Sequence, residues 1–358
     1  MKYKFEDIIF NITEKKKPVE EDKYNYIGLE HLESGNLFIS KWGSDTAPEG
    51  EKIVMKKGDV LFGKRRAYQK KVAISPIDGI FSAHGMVLRP KEDVICKEFL
   101  PFFISSEAFL NEAIRISVGG LSPTVNWKDI RELEFDLPPL AEQKVLAEKL
   151  WAAYEVKLSY LKMIAATEEM VKAQFIEMFG DPITNPKQYA IYNVAEISKT
   201  LFAGGDKPKD IMDVPNGEYK YPVWANGEGD RGLLGYSKTY RVDEESISIS
   251  ARGSIGYCAI RTPYYTPVVR LIVLVPKNNV NITYLKFFFE AIGFEKTGAV
   301  QGQLTIPDLK KKNVILPPFE EQSKFASIVN QADNLISELR KSVDAIDKVI
   351  KSLINENL

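Results

Sequence analysis

Histidine and cysteine are nearly missing from this 358-residue chain, with two of each, and their scarcity removes several kinds of chemistry at once. Cys96 and Cys258 stand alone, with no CxxC and no histidine at metal-ligand spacing. Neither a disulfide framework nor a zinc site is expected, and both thiols read as buried structural groups. His31 and His84 lie in no metal or nucleophile motif, and the apolar run that follows His84 favours a packed or hydrogen-bonded structural histidine over a general base. Long hydrophobic runs are also lacking: the purely apolar stretch Leu271-Ile-Val-Leu-Val275 is far short of the roughly 20 residues a membrane-spanning helix needs. The N-terminus alternates lysine with aromatics and shows no signal-peptide core, so a cytoplasmic location is the expectation. No single sign of charge dominates either. The formal net charge is −1, which supplies no global electrostatic reason to bind nucleic acid, so any such case rests on local clusters. A Walker A lysine loop is missing, and the carboxylates show no metal-binding spacing.

What is present is a repeat. Leu137-Pro-Pro-Leu-Ala-Glu-Gln143 returns 179 residues later as Leu316-Pro-Pro-Phe-Glu-Glu-Gln322, so one unit, a globular segment followed by a helix, occupies half of the chain. Other stretches align between the halves. Phe5-Glu-Asp-Ile8 resembles Val194-Ala-Glu-Ile197, Val87-Leu-Arg-Pro90 resembles Val273-Leu-Val-Pro276, and Phe99-Leu-Pro-Phe-Phe103 resembles Tyr284-Leu-Lys-Phe-Phe288. Offsets drift from 179 to 189 and most other positions differ, which implies a shared scaffold with diverged surfaces.

Each globular segment mixes short strand-like runs, such as Asp59-Val-Leu-Phe62 and Leu271-Ile-Val-Leu-Val275, with one helical pattern ended by a glycine break. After each Pro-Pro comes a heptad pattern. In the second copy the seam reads Phe325, Ile328, Ala332, Leu335, Leu339, Ser342, Ile346, Val349 and Leu353. In the first it reads Ala147, Leu150, Tyr154, Lys157, Leu161, Ile164, Glu168, Val171, Phe175 and Met178, and Gly180-Asp-Pro182 ends it. Helices of about 40 residues far exceed the usual three to four turns, and pairing them with each other buries both seams. The expected fold is α+β: two similar mixed α/β domains, 1–137 and 181–316, separated by two long helices, 138–180 and 317–358, pairing as an antiparallel coiled coil.

The tract has a physical reading. Its prolines stop the preceding strand, and Glu142 and Glu320-Glu321 follow where the helix dipole favours negative charge. Taken twice, and with Lys57-Gly-Asp-Val-Leu-Phe62, Gly180-Asp-Pro-Ile-Thr-Asn-Pro186 and Ser250-Ala-Arg-Gly-Ser-Ile-Gly256, it closely resembles the specificity subunits of type I restriction-modification systems over essentially the whole chain. The resemblance implies a non-catalytic subunit. Each target-recognition domain would read half of a split sequence in double-stranded DNA, and the helices would set the spacer and dock DNA adenine methyltransferase subunits, two of them. Restriction and translocase subunits would join through the complex. It implies no cofactor in this chain, with S-adenosylmethionine, ATP and Mg expected on the partners. A methyltransferase itself needs an Asn or Asp before Pro-Pro to hold a flipped adenine; Leu137 and Leu316 cannot do this.

Candidate DNA contacts follow from local chemistry. Lys64, Arg65, Arg66, Tyr68, Gln69, Lys70 and Lys71 put five cations within eight residues beside an aromatic and an amide, a set able to neutralise phosphates and read base edges. In the second copy Trp224, Asn226, Arg231, Tyr236, Lys238, Tyr240, Arg241 and Arg252 fall in a Gly-rich, turn-dense stretch. The breaks Val118-Gly-Gly-Leu-Ser-Pro-Thr124 and Val300-Gln-Gly-Gln-Leu-Thr305 add Ser122, Thr124, Gln301 and Gln303. Unlike polar sets on one scaffold predict an asymmetric bipartite target. The alternatives are the specificity component of a related system that cuts on both sides of its site, and a coiled-coil scaffold that reads no DNA.

Overall fold

The computed structural model describes residues 1–294 and 303–358, which divide into two units, Met1–Leu161 with Arg340–Leu358, and Lys162–Leu339. In the first unit, strand Lys2–Lys4 pairs antiparallel with Glu134–Asp136, so the globular segment closes on itself just before the Pro-Pro tract. One four-stranded antiparallel sheet runs in the order Ile9–Ile12, Met86–Pro90, Val60–Phe62, Val72–Ile74. A second runs Lys15–Lys16, Lys52–Met55, Gly79–Phe81, Tyr26–Ile27, with its last pair parallel. Val60, Leu61 and Phe62 are all buried, which is why this strand reads as a continuous apolar run instead of an alternating one. Asp59, buried just before it, accepts a two-pronged hydrogen bond from Arg89, Nε and Nη2 each at 2.8 Å. Phe5 anchors the core, its ring within 6.5 Å of those of Phe103, Phe109, Trp127 and Phe135.

The second unit repeats the plan. Ala190–Asn193 pairs with Asn313–Leu316, and a four-stranded sheet runs Ser198–Ala203, Ile272–Pro276, Ser246–Ile249, Cys258–Arg261. A smaller sheet runs Leu233–Ser237, Tyr221–Trp224, Thr266–Pro267, again with its last pair parallel. Register makes the copies comparable residue by residue. Val60 lies opposite Leu88 in the first sheet and Ile247 opposite Leu274 in the second, each partner two residues before a proline, Pro90 or Pro276. Val60 therefore corresponds to Ile247 and Phe62 to Ile249, and three residues beyond each strand Arg65 corresponds to Arg252.

Leu140–Phe179 and Phe319–Asn355 are the two long helices, of 40 and 37 residues. They pair antiparallel. On the first-unit side Lys157 meets Asp347 at 2.6 Å, and Leu150 and Tyr154 share a core with Ile354. On the second-unit side Phe175 and Phe179 pack against Phe325 at 5.4 and 5.6 Å. Each helix begins with a proline carbonyl: Pro139 accepts from the amides of Glu142 and Gln143, and Pro318 from those of Glu321 and Gln322.

The last residue of the repeated tract joins helix to domain. Gln143 and Gln322 are buried, at 1% and 0% exposure. Gln143 accepts from the Cys96 amide at 2.9 Å and donates to the carbonyls of Val94 and Pro138, both at 2.9 Å. Gln322 accepts from the Asn281 amide at 2.8 Å and donates to Asn279 and Pro317 at 3.5 and 2.8 Å. An amide is the side chain that offers an acceptor and two donors at one point.

One expectation is corrected. The second helix turns Phe325, Val329, Ala332 and Leu339 inward, while Leu335 and Val349 are 46% and 52% exposed. The alternate seam positions are thus Val329, Ile336 and Ile350, one residue beyond Ile328, Leu335 and Val349, with Ile336 and Ile350 half-buried; Ser342 and Val343 are both half-buried. Adjacent apolar pairs fit either phase in the sequence, and packing buries Val329 more than Ile328, Ile336 more than Leu335 and Ile350 more than Val349. On the first helix Ala147, Leu150, Tyr154, Ile164, Val171 and Phe175 are buried as expected, whereas Leu161 and Glu168 are exposed. Among the described residues no helix is long and apolar enough to cross a membrane.

Candidate nucleic-acid interface

In the first unit, strand Val60–Phe62 ends at a short turn, Ala67–Gln69, flanked by two residues with left-handed backbone, Arg66 at φ 57° and Lys70 at φ 51°. These inversions send the side chains of the cationic run in different directions. Arg65, Arg66 and Gln69 line a cavity of about 400 Å³ together with Tyr26, Leu29, Glu30, Ser82 and His84. Lys70 lines a separate cavity beside Phe102, Tyr154 and Lys351, and Lys71 donates to the Leu29 carbonyl at 2.6 Å. Tyr68 is exposed, and Lys64 is half-buried, its ammonium held below the usual lysine range by burial and by Lys15. A single cluster of five cations does not form.

Two separate sequence candidates do come together. The Arg66 amide donates to the Pro123 carbonyl at 2.7 Å, the Val125 amide to the Lys64 carbonyl at 3.0 Å, and Arg66 Nε to Ser122 Oγ at 3.2 Å. Thr124 Oγ1 donates to the Ser122 carbonyl, and its main chain bridges to Arg65. His84, exposed and hydrogen-bonded instead of packed, accepts from Arg65 Nη1 at Nε2, 3.3 Å away. Its imidazole is held below the ordinary histidine range, first by desolvation and then by Arg65, Lys64 and Lys52. An arginine only donates, so this contact needs a neutral His84 with its proton on Nδ1. Tyr26, Glu30, Ser82 and His84 escaped the sequence reading because they arrive from other strands and turns, with no local pattern to mark them.

In the second unit several candidates are occupied inside the fold. Asn226 donates to the Val269 carbonyl and accepts from the Ala251 amide, both at 2.7 Å, which engages both ends of its amide. Trp224 is covered by the Arg261 guanidinium 3.6 Å from its ring centre, so that face is not an open stacking platform. Lys238 is ion-paired with Glu218 at 2.8 Å and Asp210 at 3.5 Å, and its pKa is raised, chiefly by the Glu218 hydrogen bond. Arg241 lies over the Phe202 ring at 4.7 Å, and the Tyr236 main chain bonds to Met212. Arg231 is exposed on the turn Gly229–Gly232. Arg252 donates through Nε and Nη2 to Gln303 Oε1 at 3.2 and 2.9 Å. Gln301 lies outside the described residues. The sequence candidate Tyr240 joins Tyr221 and Tyr264, which carried no signal in the sequence, in an aromatic group with ring centres 4.9 to 6.4 Å apart, Tyr240 and Tyr264 being exposed.

The fold and these surfaces define a class: a chain carrying one mixed α/β domain twice, each followed by a long helix, and each presenting an arginine just past the same strand. The family model described as the type I restriction modification DNA specificity domain matches residues 2–162 and again 186–346, and the chain belongs to that family. It is 33% identical over 252 residues, 68% of this chain and 66% of the other, to a Mycoplasma pneumoniae protein named as a type I specificity subunit. A second Mycoplasma pneumoniae protein named likewise is 31% identical over 284 residues, 75% of this chain and 83% of that one. The specificity subunit of the MjaVIII type I restriction enzyme of Methanocaldococcus jannaschii is 23% identical across 98% of this chain and 89% of its own. Among solved structures, the S subunit of a type I restriction-modification system from M. genitalium shares the fold, with a TM-score of 0.57 and 15% identity over 99% of this chain and 94% of that one. So does a chain from a structure of type I system assembly, with a TM-score of 0.59 and 19% identity over 100% and 97%.

Proposed function

We propose that this chain is the DNA sequence-specificity subunit of a type I restriction-modification complex, each globular domain reading one half of an asymmetric bipartite target. The observation that carries the reading is that a DNA specificity domain occurs twice, with an arginine at the same scaffold position and unlike side chains around it. The proposed contact surface is Arg65, Arg66, Gln69, Ser122 and Thr124 in the first domain and Arg231, Arg252 and Gln303 in the second. Cations there neutralise phosphates, and arginine and amide side chains meet base edges in the major groove. The long helices set the unread spacer and dock two methyltransferase subunits, through which restriction and translocase subunits join. Chemistry belongs to those partners, which carry S-adenosylmethionine, ATP and Mg, and the chain itself only binds, in the cytoplasm. Selection from a random duplex library by the full chain with its methyltransferase tests this. One motif of two unlike halves around a fixed gap is the expected result; a chain that enriches no sequence is a protein scaffold instead.

A further inference from the structure

We propose that Arg65 and Arg252 are the guanine-reading residues of the two half-sites, held for that task by His84 in one domain and Gln303 in the other. The inference rests on the DNA-reading function above. A cation that only neutralises phosphate needs no fixed direction, whereas reading guanine O6 and N7 takes two N–H groups of one guanidinium presented in plane. Both arginines meet that requirement by equivalent means. They sit three residues past equivalent strands, and the main chain beside each is tied in the same way to a residue just past the glycine break of its own domain. The Val125 amide donates to the Lys64 carbonyl at 3.0 Å, and the Leu304 amide to the Ala251 carbonyl at 3.0 Å.

The side chains are then fixed from different edges. Arg65 gives one Nη1 proton to His84 Nε2, which leaves its Nε and Nη2 edge open as a two-donor fork. Arg252 gives Nε and Nη2 to Gln303 Oε1, which leaves its Nη1 and Nη2 end. Among the described residues neither guanidinium is ion-paired with a carboxylate, in contrast to Lys238 and Arg89. Gln303, its oxygen already taking two N–H groups, keeps only donors and cannot also read adenine, which needs an acceptor for N6. The two half-sites accordingly share one guanine contact at equivalent register. They differ around it, since Glu30, Gln69 and Tyr26 surround only the first.

The test compares the wild-type chain, assembled with its methyltransferase, against Arg65→Lys, Arg252→Lys, His84→Ala and His84→Gln on a random-sequence duplex library and over a salt series. Arg65→Lys is expected to lower the preference for guanine at one position of one half-site by roughly ten- to a hundredfold, with the other half-site and the salt slope unchanged because the charge remains. Arg252→Lys does the same in the other half-site. His84→Ala weakens discrimination at the Arg65 position alone, and His84→Gln, whose oxygen accepts as Gln303 does, restores it. A uniform loss across all sequences, or a motif untouched by either lysine variant, overturns the assignment. Failure of the wild-type chain to enrich any motif sinks the DNA-reading function itself, so the two failures are distinguishable.

Discussion

The repeated glutamine shows how much one side chain fixes. Replacing Gln143 with alanine strands a buried amide, that of Cys96, and two carbonyls, those of Val94 and Pro138. Each orphaned group costs about 1–3 kcal/mol, and partial relaxation leaves an expected loss of about 2–4 kcal/mol. Native-state hydrogen exchange at Cys96 should report it, and Gln322→Ala should act likewise at Asn281. Gln143→Glu should be worse, because a carboxylate faces two carbonyls; unchanged Cys96 protection in either variant would remove the glutamine from this role. His84 supplies a pH prediction. Its pKa is lowered in the folded chain by desolvation, then by Arg65, Lys64 and Lys52, while Glu30 and Tyr26 line the same cavity. The unfolded chain, at about 6.5, therefore takes up the proton first. The contribution is present above that pH and is lost as pH falls through the lower folded value. An NMR titration should place the His84 midpoint below that of a free histidine, and Arg65→Gln should raise it only part of the way, since desolvation remains.

Elements were far more legible in the sequence than sites were, and the reason is range. A helix start such as Leu-Pro-Pro and a heptad pattern are local, so the repeat, the long helices and the glycine break at Gly180 could be read from a single chain. The phase of the second seam could not: Ile328-Val329 and Leu335-Ile336 are adjacent apolar pairs, and the choice is made by what the helix packs against. Val329 is buried in the second-unit core and Leu335 is not. Val329→Asp should therefore destabilise the chain by about 3 kcal/mol or more by burying an unpaired carboxylate, whereas Leu335→Asp should stay within about 0.5 kcal/mol. Equal midpoints for the two variants in denaturant would restore the other phase. The site divides in the same way. The 64–71 run and the 118–124 break each carried a local signal, but their convergence and the arrival of Glu30 and His84 depend on strand pairing. Asn226, Trp224 and Lys238 looked available because the groups that occupy them, Ala251, Arg261 and Glu218, are 20 to 37 residues away in sequence.

At the scale of the molecule, the proposed role of the helices as a ruler makes a prediction that depends on two periods. A helix rises about 1.5 Å per residue, and inserting seven residues in each helix keeps the seam in phase to within about 20° while lengthening the pair by roughly 10 Å. Along DNA that is about three base pairs at about 3.4 Å each. A duplex of 10 to 10.5 base pairs per turn also rotates the second half-site by roughly 100° over three pairs. The seven-residue variant must therefore twist either the DNA or the coil to engage both halves, and it should bind more weakly than the parent chain. Three heptads in each helix add roughly 31 Å, close to one DNA turn of about 34 to 36 Å, so the DNA phase nearly returns, while supercoiling takes up the accumulated drift of about 60° in the seam. That longer variant should recover affinity, with unchanged half-sites and a spacer wider by about nine or ten base pairs. Mapping methylated adenines in cells that express each variant with its methyltransferase reads the spacer directly. An unchanged spacer, or half-sites that change while the spacer holds, would show that the helices do not measure the distance.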